Sequence, residues 1–322
     1  MKSLTKVVAI ATVAGALTVA APVRAAQLSG DAKASIPNDV QQLIVVDYRA
    51  MQASPAAMNL KEKIMPPELR RLETALKSSG LRVDREADTL AFAAFRAPGS
   101  AAGSTGTRTV GIAQGQFQTG AIMANFTKQK AKPQVLRNYS IYPLGAAGLS
   151  VVFMNQTTML FGDIASVRSG LDARDGIIPN MLTNGDMMNE MNVVDSRALW
   201  SLLDQRGTQT MMRSVLGDAS SLTDYDSVKN RMKSSRYTVD FANGIHFDMA
   251  VVMSDTMTAA TAATLMKGMV MLKKTQGSVQ EKTALSETSV DSSSGTLQVS
   301  YASSEGQFSE LLNSPLFQQV VR

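Results

Sequence analysis

The chain contains no cysteine and a single histidine, and these two shortages exclude several kinds of chemistry. Without cysteine there is no disulfide, no thiolate nucleophile and no iron–sulfur cluster. The one histidine, His246, cannot by itself provide the ligands of an ordinary zinc or cupric copper site. A Gly-x-Ser-x-Gly motif and a phosphate-binding loop are also missing. We therefore expect no catalytic, cofactor-binding or metal-binding residues, and a protein that is not an enzyme.

The N-terminus has the three parts of an export signal. Lys2 and Lys6 form a basic start, and residues 7–21 are apolar and uncharged. Val23 and Ala25 are small residues at the −3 and −1 positions of a cleavage site. The sequence predicts cleavage before Ala26 and a periplasmic or secreted mature protein. The apolar stretch is short for a membrane span, so an uncleaved anchor is the alternative interpretation.

The excess of basic residues is concentrated in this leader. The chain has a formal charge of +5, and removal of Lys2, Lys6 and Arg24 leaves 29 basic against 27 acidic residues, a charge of +2. A nearly neutral chain has no general electrostatic attraction to nucleic acid, so we expect no nucleic-acid partner. No later stretch is long and apolar enough for a membrane span after signal cleavage.

Two sequence matches suggest an internal duplication. Residues 45–51 (VVDYRAM) resemble residues 193–199 (VVDSRAL). Further along, a helical spacing of apolar residues recurs in the same order, with Leu69, Leu72 and Leu76 matching Tyr225, Val228 and Met232. The sequence therefore predicts a leader over 1–25, a first repeat over 26–180 and a second repeat over 181–322.

The pattern within each predicted repeat favours an α+β fold. Strands are expected in adjacent hairpins, one of them turning at Asn243-Gly244. Helices are expected over 67–79, after an Asp163 cap, over 222–233 and over 256–274. Hairpins in sequence favour antiparallel pairing. The expected architecture is two tandem copies of an antiparallel sheet with helices packed on one face.

The chain is rich in methionine, with 20 residues. Met187, Met188 and Met191 lie close together, and thioethers bind cuprous copper. Methionine also fills irregular cores, and the sequence leaves both interpretations of this group open. Acidic residues cluster at Asp218, Asp224 and Asp226, where helix capping is the simpler explanation. Asp47 and Asp195, which the first match aligns, are expected to have structural roles.

The segments Tyr225-Asp-Ser-Val-Lys229 and Ser235-Arg-Tyr237 resemble exported bacterial proteins that have no assigned activity. This resemblance implies no site residues. The composition and the duplication favour an exported, non-enzymatic binding or structural protein of the bacterial cell envelope. Its partner is expected to be another envelope protein or an apolar small molecule.

Two other functions stay open. One is a carrier that holds a lipid or another apolar ligand in a cavity between sheet and helices. The other is an acid-dependent hydrolase. A ligand or partner site is expected between the two copies, near residues 176–192, or once in each copy.

Overall fold

Among the described residues, twelve strands form one antiparallel sheet in a computed structural model of the protein. The structure describes residues 26–64, 67–97, 106–144, 148–216 and 225–313. The predicted leader, Asp218, Asp224 and most of the loop predicted over 98–107 lie outside the described residues, as do the side chains of Leu69 and Leu72. The predicted α+β class with antiparallel pairing is confirmed.

The strands are β1 (Val40–Asp47), β2 (Ala87–Arg96), β3 (Thr107–Gly115), β4 (Gln134–Leu136), β5 (Tyr139–Leu144), β6 (Leu149–Phe153), β7 (Thr158–Asp163), β8 (Leu199–Leu203), β9 (Met232–Asp240), β10 (Ile245–Met253), β11 (Thr288–Ser293) and β12 (Thr296–Ser303). Most neighbouring strands of the sheet are consecutive in the chain, and the exceptions are the pairs β1–β8, β3–β7 and β10–β12.

Helices connect and cover these strands. They are α1 (Gly30–Ala34), α2 (Tyr48–Gln52), α3 (Pro55–Ile64), α4 (Pro67–Ser78), α5 (Val83–Glu86), α6 (Thr119–Lys128), α7 (Ile164–Arg174), α8 (Gly185–Val194), α9 (Gln205–Leu216), α10 (Tyr225–Lys229), α11 (Thr256–Gln276), α12 (Val279–Ser286) and α13 (Glu305–Leu312), with a 3₁₀ turn at Met181–Thr183.

Local sequence signals act as expected at two boundaries. The Asp163 carboxylate accepts hydrogen bonds from the backbone N–H groups of Ala165 and Ser166 and so caps α7. Between β9 and β10, Asn243 and Gly244 have φ of 59° and 106°. Positive φ at both central residues is what a tight hairpin turn needs, and Asn-Gly adopts it at low cost.

Apart from β4 and β5, which have no counterpart among the described strands, the strand order is symmetric about the central pair, β1 and β8. The order across the sheet is β11-β12-β10-β9-β8-β1-β2-β3-β7-β6-β5-β4. Going outward from the centre, β2, β3, β7 and β6 on one side correspond to β9, β10, β12 and β11 on the other. The central strands are antiparallel, with Val45 opposite Trp200. Both halves of the chain thus contribute to one continuous sheet.

The sequence matches that suggested the duplication do not coincide with this symmetry. Residues 45–51 end β1 and begin α2, whereas residues 193–199 end α8 and begin β8. The helix expected over 222–233 ends at Lys229, and Met232 already starts β9. The expected superposition of these segments is therefore wrong, and the duplication is not confirmed. The boundary near residue 180 stays a prediction.

The sheet has two faces with different cover. We call the face that carries Val45 and Trp200 face A, and the opposite face, which carries Val46 and Leu199, face B. In the first half, α1 and α7 pack on face A, while α4 and α6 pack on face B. In the second half, α9, α10, α11 and α13 pack on face B, and α8 packs on face A over β8 and β9. Helices on a single face therefore describe only the outer strands of the second half, whereas the first half is covered on both faces.

Candidate functional site

A groove in the described part of the molecule runs along the ends of six adjacent strands. It has a volume of about 920 Å³. Its wall is formed at the ends of β1, β3 and β9 and at the beginnings of β2, β7 and β8, so it spans the line where the two halves meet. We call it the junction groove. At about 4.8 Å between neighbouring strands, six strand ends extend over roughly 24 Å.

Small residues line much of the junction groove. They include Ala50, Ala53, Ala198, Ala242 and Gly115, with the ring of Phe241 beside them. At Gly115 a Cβ atom would stand 1.8 Å from the carbonyl oxygen of Glu86, so only glycine allows this approach of backbone to backbone. Gly115 thus permits the close pairing of β2 and β3 at this edge, while the short alanine side chains leave the strand ends open to a bound molecule.

Asp47 is the buried acid of the groove, with 5% of its surface exposed. Its Oδ1 accepts a hydrogen bond from the backbone N–H of Ala50 at 2.8 Å and caps α2. Burial raises the pKa of this carboxyl, and the nearby charge of Asp88 adds to the rise, while the backbone hydrogen bonds oppose it. The expected structural role of Asp47 is thus observed, although Asp195, its expected equivalent, follows the end of α8.

Two further aspartates line the groove, and each has an arginine partner. Asp88 pairs with Arg49. Asp240 pairs with Arg197, with 2.8 Å between the guanidinium Nη1 and the carboxylate Oδ2. Asp47 differs from both because backbone N–H groups hold its carboxylate. The groove therefore combines two neutralised ion pairs with one buried carboxyl.

The segment that follows the predicted cleavage site forms one side of the groove. Ser29 lines it and donates its backbone N–H to Oε1 of Gln114 at 3.0 Å. The indole Nε1 of Trp200 donates to the carbonyl of Ala26 at 3.0 Å, and the Ala26 N–H donates to the carbonyl of Arg197. The predicted mature N-terminus is thus fixed beside the line where the halves meet.

The segment expected to carry the site, residues 176–192, does not line the groove. Met187 and Met191 are almost fully buried in the core beneath face A, and Met188 packs against that core. Their position favours core packing over copper binding. His246 lies exposed on face A, as its strand alternation indicated, and Asp226 is exposed on α10.

A smaller apolar pocket lies between face B and α4. It has a volume of about 60 Å³ and is lined mainly by apolar side chains, among them Leu76, Val83, Leu90, Phe92, Met159 and Phe161. Lys61 stands at this pocket with its Nζ 3.1 Å from the Tyr48 hydroxyl and 3.2 Å from a Glu73 carboxylate oxygen. Burial lowers the pKa of Lys61, but these two partners outweigh it and raise the pKa overall.

Sequence reasoning missed most of the groove. Arg49, Asp88 and Asp240 are far apart in the chain. Asp88 and Asp240 lie at strand ends and Arg49 lies in α2 just after β1, and only the strand order brings them to the same place. The available signal was weak: a charged residue just after or before a strand is common at any turn.

No protein-family model and no curated protein matches the chain. Among solved structures, crystal form I of TP0453 matches with a TM-score of 0.52 and 7% identity over 90% of this chain and 98% of that one. Crystal form III of TP0453 matches with a TM-score of 0.50 and 6% identity over 87% and 96%. At such identities the likeness shows a shared fold alone.

Proposed function

We propose that the chain is an exported binding protein of the bacterial cell envelope that holds its ligand in the junction groove. The groove itself is the supporting observation. Its volume of about 920 Å³ lies within the range of roughly 300–1,000 Å³ that small-molecule sites usually have. It also lies on the line between the two halves, as ligand sites often lie between structural units.

The lining suggests which ligands fit. Arginines neutralise Asp88 and Asp240, so a strongly charged ligand finds little net attraction. The alanines and Phe241 offer apolar contact, and the buried carboxyl of Asp47 offers one polar group that fixes orientation. We therefore propose an elongated, mostly uncharged ligand, either a small molecule or an extended segment of another envelope protein.

A carrier of apolar molecules is the second candidate, and the apolar pocket beneath α4 favours it. That pocket lies between the sheet and a helix, where a carrier would hold an acyl chain. Its volume of about 60 Å³ holds only a few carbon atoms unless α4 moves. The acid-dependent hydrolase has less support, because each groove aspartate is engaged by an arginine or by a helix start.

Native purification tests the proposal. The protein is isolated from envelope fractions under mild conditions, and bound molecules are identified by mass spectrometry. The Ala53→Trp variant should fill the groove and lose the ligand, since Ala53 is an exposed groove residue. Ala302→Trp is the matched control, because Ala302 is also exposed but lies on β12, away from the groove.

Three results would count against the groove. A ligand retained by Ala53→Trp, or lost equally from both variants, contradicts the proposed position, and an apolar ligand retained by Ala53→Trp would favour the pocket beneath α4. Recovery of no specific ligand contradicts the binding function. N-terminal sequencing of the same sample tests export. The exported chain should begin at Ala26 or within a few residues of it, and a cytoplasmic chain that begins at Met1 would contradict export.

A further inference from the structure

The longest helix of the described residues, α11, exposes a row of uncharged residues along its outer side. With 3.6 residues per turn, this row combines small and apolar residues with three threonines, namely Met257, Ala260, Thr261, Thr264, Gly268, Met271, Leu272 and Thr275. We call this set the outer stripe. Met257 and Met271 are 78% and 71% exposed. The opposite side packs on face B through buried residues such as Ala262 and Met266.

This pattern departs from that of an ordinary surface helix, whose outward side is charged or polar. Among the described residues from β8 onward, the large exposed hydrophobic side chains are Met257, Met271, Leu272 and Val279. All four lie on α11 or at the first residue of α12. Single exposed apolar residues need no explanation, but a cluster on one helical hairpin indicates an interaction surface.

The charges around the stripe indicate the partner. Helix α11 carries Lys267, Lys273 and Lys274 and no acidic residue. The helical repeat puts Lys267 and Lys274 along one edge of the outer stripe. Two stripes from two copies of the chain would bring lysines together without an acid on either helix. The surface of an anionic bilayer, in contrast, would attract the lysines and bury the methionine and leucine side chains.

We infer that the outer stripe docks on the surface of a bilayer that contains anionic lipid. The helix would lie flat, with Met257, Met271 and Leu272 among the headgroups and with the lysines at the lipid phosphates. Within the described ranges, no helix has the length and hydropathy to cross a membrane. The contact is therefore peripheral, and it should weaken as salt screens the lysines.

Vesicle flotation tests this inference with the exported protein. Two preparations are compared, phosphatidylcholine alone and phosphatidylcholine mixed with phosphatidylglycerol. The protein should float with the mixed vesicles at low salt and much less with the neutral ones. Replacing Met271 and Leu272 by glutamate should weaken this binding by at least about tenfold, because two apolar contacts become repulsive charges.

The control is Val193→Glu, since Val193 is 59% exposed on α8, on the other side of the sheet. It should bind like the unaltered protein. Equal binding to both kinds of vesicle, no binding to either, or equal loss in the control would overturn the inference. A dimer in solution that the Met271→Glu/Leu272→Glu variant abolishes would identify a second copy as the occupant and overturn it as well.

The docking surface and the junction groove are separate, so the two proposals can fail independently. The groove variant Ala53→Trp should float like the unaltered protein. Conversely, the Met271→Glu/Leu272→Glu variant should keep its ligand on purification in detergent-free buffer. A groove variant that loses vesicle binding would contradict the assignment to α11.

Discussion

The two halves of the sheet differ most clearly along one row of cross-strand neighbours on face A. In the first half the row passes through apolar residues, and beyond the centre it becomes polar. From one side to the other it contains Val152, Leu160, Ile112, Ala91, Val45, Trp200, Thr238, Asp248, Ser300 and Ser289. The change falls between Trp200 and Thr238, on the neighbouring strands β8 and β9.

The helices explain this change. Over the first half, α1 and α7 cover face A, so residues such as Leu160 and Ile112 are fully buried. Helix α8 extends this cover over β8, and at its edge Glu190 of α8 forms an ion pair with Arg236 of β9. Beyond it, Asp248 on β10 is exposed. The same kind of sheet thus carries an apolar or a polar face according to what packs on it.

The largest expected difference between the halves is the cost of removing an apolar side chain from face A. Leu160→Ala should lower the free energy of unfolding by about 2–5 kcal/mol, as for other buried leucines. Val252→Ala, on the same face in the second half, should cost less than about 1 kcal/mol because Val252 is only half-buried. Urea unfolding followed by circular dichroism measures both, and equal losses would show that face A of the second half is also covered.

The next effect concerns the centre, where the halves meet. Trp200→Phe removes the indole hydrogen bond to the Ala26 carbonyl and leaves that buried acceptor unpaired. The expected loss is about 1–3 kcal/mol. In a chain that begins at Gly30 the acceptor is gone, so the same substitution should cost less. If the two losses are equal, the segment 26–29 does not contribute to the centre as the structure indicates.

The smallest effect tests the buried acid of the junction groove. Asp47→Ala removes the cap of α2 and should cost about 1 kcal/mol, whereas Asp47→Asn keeps a capping oxygen and should be neutral or slightly stabilising at pH 7.

Because folding raises the pKa of Asp47, its contribution favours the folded protein at low pH and is lost as pH rises through the folded-state pKa. In Asp47→Asn, the free energy of unfolding measured against pH should no longer show the contribution of this carboxyl. Equal destabilisation by Asp47→Ala and Asp47→Asn would contradict the capping role.

Several elements could be predicted because their signals are local. The Asp163 cap, the Asn243-Gly244 turn and the helix from Thr256 follow from hydrogen bonds and dihedral preferences within a few residues. The segment 225–233 could not be assigned correctly. The apolar spacing of Tyr225, Val228 and Met232 fits a helix. However, the residues from Met232 onward pair with β8 and β10 and therefore form strand β9.

The sequence by itself determined the antiparallel α+β class, because hairpin turns and helix caps are short-range features. It also established the shortage of ordinary metal ligands. Only the tertiary structure decided which strands are neighbours, and with that the junction groove, the two-sided cover of the first half and the exposed stripe of α11. These depend on pairing between residues more than a hundred positions apart, such as Val45 and Trp200, and no local preference encodes such a pairing.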